Sequence, residues 1–306
     1  MNYNVAVVGA TGMVGRKMLQ VLSERKLPIG ELYLFASAKR AGKQIEFMGK
    51  NYTVIELTEE AVRARKVDIA LFSAGAGTSR AFAPIFAECG AVVIDNSSQW
   101  RMDASVPLVV PEVNPYDIDW NHGIIANPNC STIQAVVALA PLHRKFHIKR
   151  IVYSTYQAVS GAGVQGYADL EAGIRGEAPK KFPKPIFGNC LPHIDVFEAD
   201  GYTKEEHKMI NETRKILGDD DIRITATTVR VPVYYGHSES INVEFDKPIT
   251  LEGVKETLRD APGVVVMDDV ADGVYPTPLD VADTDPVYVG RIRLDVSVES
   301  GVNLWV

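Results

Sequence analysis

The start of the chain narrows the fold more than any other stretch. Asn4-Val5-Ala6-Val7-Val8 is a short apolar, β-branched run of the kind that forms a buried strand. Gly9-Ala10-Thr11-Gly12-Met13-Val14-Gly15 follows at once, and a helical pattern then covers residues 16–25. Strand, glycine turn and helix in that order form the unit that holds the pyrophosphate of a dinucleotide. Gly9 permits the tight turn. Gly12 lets backbone approach a phosphate at the helix N-terminus, and Gly15 lets helix and strand pack closely. Thr11, Met13 and Val14 lie on the same turn and complete the expected cofactor contacts. The plain alternative is a glycine turn with no ligand. Its position directly after a buried-type strand favours the nucleotide.

The next strand, residues 31–37, selects the nucleotide. An NAD site places an acid at the end of this strand, on the ribose hydroxyls. Here the strand runs into Ser37-Ala38-Lys39-Arg40. A hydroxyl and two cations suit a 2′-phosphate, so Ser37, Lys39 and Arg40 point to NADP; a solvated basic turn is the competing reading. Residues 43–57 alternate loosely, as a hairpin-like excursion does. Strands at 67–73 and 91–95 flank a helix that ends near Gly90. Strands alternating with helices predict a doubly wound parallel sheet, with its ligand crevice at the carboxyl ends of the strands.

Composition excludes several classes. The 306 residues carry 32 basic and 39 acidic side chains, a net charge of −7, which argues against nucleic acid and anionic membrane partners. No apolar run approaches membrane-spanning length, and the apolar start runs straight into the glycine turn rather than into a signal-peptide cleavage site. Three cysteines, Cys89, Cys130 and Cys190, stand far apart without CxxC or Cys/His spacing. This predicts neither disulfides nor a metal site and fits a reducing cytoplasm.

One cysteine has a chemical setting. Asn127-Pro128-Asn129-Cys130-Ser131-Thr132 follows the apolar run Gly123-Ile124-Ile125-Ala126 and precedes a buried-helix pattern over 133–142. Pro128 breaks the chain and Asn129 is a natural N-cap, which puts Cys130 in the first turn of a helix. The positive end of that helix favours a thiolate, and its amides can hold an oxyanion. A small buried cysteine packing the helix start is the alternative. The polar neighbours at a strand-to-helix turn favour a nucleophile.

Domain 1–129 is thus read as a Rossmann-type nucleotide-binding sheet. Domain 130–306 is read as α+β, with a mixed sheet and helices on one face. Its strands are expected over 148–160, 222–231, 240–245, 263–268 and 290–298. Helices are expected over 164–176, 203–217 and 251–259, and loop over the Pro- and Lys-rich 179–192.

Taken together, the chain closely resembles the aspartate-semialdehyde dehydrogenases of the bacterial type. The resemblance rests on the glycine turn, on Pro128-Asn129-Cys130-Ser131-Thr132 and on Ser154-Thr155-Tyr156-Gln157-Ala158-Val159-Ser160-Gly161. Further on it rests on Val229-Arg230-Val231-Pro232, His237-Ser238-Glu239-Ser240 and Val289-Gly290-Arg291-Ile292-Arg293. It implies an NADP-dependent reductase of aspartyl 4-phosphate, working through a Cys130 acyl thioester in lysine, threonine and methionine biosynthesis. It also implies a cytoplasmic homodimer. His237 would be the acid/base. Gln157, Arg230 and Glu205 would hold the acyl group, α-carboxylate and ammonium of the substrate. Arg101 and Lys208 would bind phosphate, with Ser160 and Gly161 beside the cofactor. Glu205 and Lys208, three apart, would share a helix face; a solvated helix pair is their competing reading. The resemblance further implies a helix beyond the Leu304-Trp305-Val306 strand, where this sequence ends; without it, weaker NADP binding and poorer turnover are expected. A reductase of another acyl phosphate, such as N-acetylglutamyl phosphate, and an NADP-binding protein of little activity are the alternative readings.

Overall fold

The computed structural model describes residues 2–306, and they form two compact units. The first takes residues up to Val109 together with Pro115–Pro128; the second takes Val110–Asn114 and Asn129–Val306.

In the first unit, β1 (Tyr3–Val8) leads through the glycine turn into α1 (Met13–Glu24), and β2 (Ile29–Ala36) follows. The excursion after it is a hairpin of β3 (Gln44–Phe47) and β4 (Lys50–Thr53), and β5 (Ile55–Glu56) returns to the main sheet. Helix α2 (Glu59–Arg63), strand β6 (Ile69–Phe72), helix α3 (Ala76–Glu88), strand β7 (Val92–Asp95) and strand β8 (Ile124–Ala126) complete the unit. The sheet order is β5-β2-β1-β6-β7-β8 and every pairing is parallel. Chain order reverses between β1 and β6, which makes the turn after β1 the switch point of a doubly wound sheet. The strands read as continuous apolar runs because helices cover both faces. Val5, Val7, Leu34, Phe35, Ala70 and Phe72 are fully buried or nearly so.

The second unit opens with α4 (Cys130–Phe146), then β9 (Ile148–Gln157) and α5 (Gly163–Ile174). Next come α6 (Lys204–Leu217), β10 (Arg223–Arg230), β11 (Ser238–Phe245) and α7 (Leu251–Arg259). Strands β12 (Val264–Val266), β13 (Val287–Leu294) and β14 (Gly301–Trp305) finish it. Their order, β10-β9-β11-β14-β13-β12, mixes parallel pairs at the two ends with antiparallel pairs in the middle. Helices α4, α6 and α7 pack on one face. That layer holds the main core, with Leu139, Leu142, Ile151, Tyr153, Met209, Ile241, Val243 and Leu304 at 5% exposure or less. Each such side chain contributes about 1.5–3 kcal/mol of burial free energy, so the layer is a stiff base for what sits at its edge. The other face is less covered and shows Ser154, Tyr156, Asn242, Asn303 and Trp305, with Tyr156 and Trp305 rings 5.4 Å apart.

Candidate active site

Three strand ends in the second unit meet at one place. β9 and β10 are parallel and in register up to Gln157 and Arg230, so both strands deliver their last residue to the same edge. β11 runs antiparallel to β9 and begins there, opposite Tyr156, one residue after His237. Helix α4 starts at the same edge, and Asn129 caps it by accepting the Ser131 and Thr132 amides at 2.9 and 3.3 Å. The result is an exposed Cys130 with its Sγ 3.2 Å from His237 Nε2, although 107 residues separate them in the chain.

The imidazole is oriented from behind. The Ala158 amide donates to His237 Nδ1 at 3.0 Å, and Gln134 Nε2 donates to the His237 carbonyl at 3.2 Å. A donor at Nδ1 leaves the proton of the neutral ring on Nε2, facing the sulfur. Burial, helped by the Arg230 guanidinium and opposed by Glu205, pushes the His237 pKa down to about 4. At neutral pH the ring is therefore an uncharged N–H donor.

Arg230 is a buried guanidinium. Its Nη1 donates to the Ala158 carbonyl at 2.7 Å, while its buried Nε has no hydrogen-bond partner. Burial lowers its pKa, against the charges of Glu205 and the Cys130 sulfur. Gly161 lies against both groups: a Cβ there would stand 2.8 Å from Arg230 Nη1 and 3.4 Å from His237 Nε2. A buried cation with an unsatisfied donor beside an exposed cysteine suits an anionic group.

Glu205 sits beneath them at 5% exposure. It accepts from Asn129 Nδ2 at 2.9 Å, from Gln157 Nε2 at 3.3 Å and from Lys208 Nζ at 3.1 Å. Burial alone would raise its pKa, but the Lys208 charge and these donors outweigh it and hold the carboxylate below its usual value. Lys208 is raised in turn: burial opposes its charge, and Glu205 and Asp195 more than restore it. The expected shared helix face of Glu205 and Lys208 is present. Both belong to a buried network rather than to a solvated pair.

The structure thus gathers Cys130, His237, Gln157, Arg230, Glu205 and Lys208 within one unit, with Gly161 against the Arg230–His237 pair. Ser160 precedes Gly161 on the same turn, its amide bonded to the Tyr234 carbonyl. Arg101 belongs to the first unit, where it is buried and donates to the main-chain oxygens of Asn127 and Asn96 at 3.0 Å each. Two expectations need refinement. The Ser131 and Thr132 amides are spent on the Asn129 cap and are not oxyanion donors. His237, with Nδ1 already engaged, is a hydrogen-bond donor in its resting state rather than a base. Sequence reasoning missed Asp195, which pairs with Lys208 at 2.8 Å, and the Ala158 amide behind His237. Neither has a sequence signal, since both depend on loop paths.

In the first unit Gly9 has φ +91, and a Cβ there would lie 2.3 Å from Ser73 O; a Cβ on Gly15 would lie 2.3 Å from Gly9 O. Gly12 meets only Gly9 O, at 3.3 Å, and caps α1 without any side-chain acceptor. Backbone donors at a helix N-terminus, on a turn where Gly12 carries no Cβ, fit a dinucleotide pyrophosphate. Thr11, Met13 and Val14 lie on this turn. Ser37 opens a short 3-10 turn, Ala38–Arg40, on which Lys39 and Arg40 are exposed and no acid stands.

A separate cluster of His143, His147 and Asp219 has metal-like spacing. The Ile148 amide donates to His143 Nδ1 at 3.2 Å, which puts that ring's proton on Nε2 facing Asp219. The three groups lie at the far end of α4, with Asp219 Oδ2 3.7 Å from His143 Nε2 and 3.5 Å from His147 Nε2. No described helix is long and apolar enough to cross a membrane.

The chain matches known proteins along nearly its whole length. Residues 4–121 match the semialdehyde dehydrogenase NAD binding domain and residues 139–306 the semialdehyde dehydrogenase dimerisation domain. The chain is 56% identical to aspartate-semialdehyde dehydrogenase of Aquifex aeolicus, covering 100% of this chain and 92% of the relative. It is 49% identical to that of Campylobacter jejuni, covering 98% and 90%. Among solved structures, aspartate semialdehyde dehydrogenase II of Vibrio cholerae superposes with TM-score 0.95 at 47% identity, covering 100% of this chain and 92% of that one. The same enzyme complexed with ASA gives TM-score 0.95 at 46% identity.

Proposed function

The chain belongs to the aspartate-semialdehyde dehydrogenase family, and from that premise we propose how its own residues carry the reaction. It is an oxidoreductase with a nicotinamide-dinucleotide domain, interconverting aspartate 4-semialdehyde and aspartyl 4-phosphate. The observation that supports the route best is the Cys130 sulfur 3.2 Å from His237 Nε2, beside a buried Arg230 with a bare Nε.

Towards the aldehyde, Cys130 Sγ attacks the carbonyl carbon of the acyl phosphate, phosphate leaves, and an acyl thioester remains on Cys130. The cofactor, when bound at the glycine turn, supplies the hydride that reduces this ester. The tetrahedral oxyanion so formed is held by His237 Nε2–H and collapses to aldehyde and thiolate. No proton need reach the substrate oxygen in either direction, so a neutral donor suffices. This assigns His237 to oxyanion stabilisation first, and to proton transfer only if the Ala158 bond yields.

Arg230 takes the substrate α-carboxylate on its planar fork. Glu205 takes the ammonium, and Gln157, whose amide nitrogen already points at Glu205, orients the acyl oxygen. Lys208, released from Asp195, is a phosphate-binding cation in its unit, and Arg101 is assigned the same role in the first unit. Ser37, Lys39 and Arg40 favour NADP over NAD, with Gly9, Thr11, Gly12, Met13, Val14, Ser160 and Gly161 as further cofactor contacts. The working state is a homodimer, and the less covered sheet face bearing Tyr156 and Trp305 supports it; sedimentation should give twice the chain mass.

The direct test is phosphate-dependent NADPH formation from aspartate 4-semialdehyde. Cys130→Ala should abolish it, and Arg40→Glu should erode the preference for NADP over NAD. Turnover of N-acetylglutamate semialdehyde in place of the free amino acid would overturn the assignment of Arg230 and Glu205.

A further inference from the structure

Helix α6 does more than carry Glu205 and Lys208. Glu205, Met209 and Glu212 stand at i, i+4 and i+7, one stripe facing α4, and are 5%, 0% and 1% exposed. Each touches the first turn of α4. Glu205 Oε1 accepts from Asn129 Nδ2 at 2.9 Å, Met209 Sδ accepts the Thr132 hydroxyl at 3.6 Å, and Glu212 Oε2 accepts the Asn129 main-chain amide at 2.6 Å. The stripe is itself fixed from the other side, since Thr213 Oγ1 lies 3.1 Å from the Tyr153 hydroxyl on β9.

We infer that Glu212 is a positioning residue for the nucleophile. The amide it holds belongs to the N-cap, one peptide before Cys130. It is not among the helix amides that Asn129 caps with its own side chain. The N3 side chain of α4, Thr132, is turned to Met209 instead, and Glu212 satisfies this amide across 83 residues. Asn129 is thereby held at both its backbone and its side chain, and Cys130 inherits that fixed start. A carboxylate is a costly choice here. The α4 N-terminus stabilises its charge, but the same charge opposes ionisation of the neighbouring thiol. What the site uses is therefore the acceptor oxygen, placed to within a few tenths of an ångström of the ideal for a charged bond.

The inference rests on Cys130 being the nucleophile, which Cys130→Ala tests separately. Three variants separate geometry from charge. Glu212→Gln keeps an acceptor of the same reach; kcat should stay within about threefold. Glu212→Asp keeps the charge and withdraws the oxygen by one methylene. Glu212→Met fills the space and removes the acceptor. For both, kcat should fall about 10- to 100-fold, the scale expected when a reacting atom moves by up to an ångström. KM for the aldehyde should change little, because Arg230 and Glu205 are untouched. The pH profile of Cys130 alkylation should shift in Asp and Met. In Gln it should hold or move to lower pH. If Met fails to fold, Asp decides. Loss of melting temperature with unchanged kcat and unchanged alkylation profile in Asp would reduce Glu212 to a structural brace. Equal loss in Gln and Asp would show that geometry is not what it supplies. Either result overturns the inference.

Discussion

Glu239 should destabilise this protein at neutral pH, and Glu239→Gln should relieve it. The residue follows His237 by two on β11, is 0% exposed, and neither carboxylate oxygen has a partner at hydrogen-bond distance. Burial drives its pKa well above 4.5; the Gln134 amide, already committed to the His237 carbonyl, offsets part of this, and the Glu205 charge adds to the rise. The folded chain thus keeps a proton that the unfolded chain gives up. For an acid with a raised folded pKa, stability is full below the unfolded value of 4.5 and is lost as pH climbs towards the folded one. Each pH unit in that window costs about 1.4 kcal/mol. Denaturant midpoints of wild type and Glu239→Gln, taken on the Cys130→Ala background from pH 4 to pH 8, test this. The variants should nearly coincide at pH 4 and diverge steadily above pH 5, with Gln the more stable. A gap independent of pH, or a less stable Gln variant at pH 7, would mean that the carboxylate has a partner and the reasoning fails.

Other outcomes follow from the same geometry. His237 has its folded pKa depressed to about 4 from 6.5, so the stability it contributes is present above pH 6.5 and lost as pH falls towards 4. His237→Asn should flatten that part of the stability profile. Gly161→Ala places a Cβ 2.8 Å from Arg230 Nη1, which Ala158 O already holds. Steady-state assays should show KM for the aldehyde raised about tenfold while stability moves by about 1 kcal/mol or less. Gly15→Ala drives a Cβ to 2.3 Å from Gly9 O, a clash with backbone rather than a yielding side chain. It should lower stability by about 2 kcal/mol or more and weaken NADP binding in a fluorescence titration.

The amino-acid sequence determined the local units on its own. The glycine turn, the Asn129 cap, the helices expected over 203–217 and 251–259 and the apolar strands of the first unit are short-range features, and each formed within a few residues of its expected bounds. α6 even has the reciprocal capping box of Thr203 and Glu206, and it stops at a left-handed Gly218. Family motifs then named Cys130, His237, Arg230 and Glu205. The chemistry of those residues was decided by tertiary structure alone. Which nitrogen of His237 carries the proton depends on an amide 79 residues away. Whether Glu205 and Lys208 are a solvated pair or a buried network depends on what covers α6. The burial of Glu212 and Glu239 depends on the strands and helices that enclose them. Propensity and capping act over one or two turns and can be read along the chain. Desolvation and hydrogen-bond satisfaction depend on neighbours brought in from distant segments, so they exist only once the chain has folded.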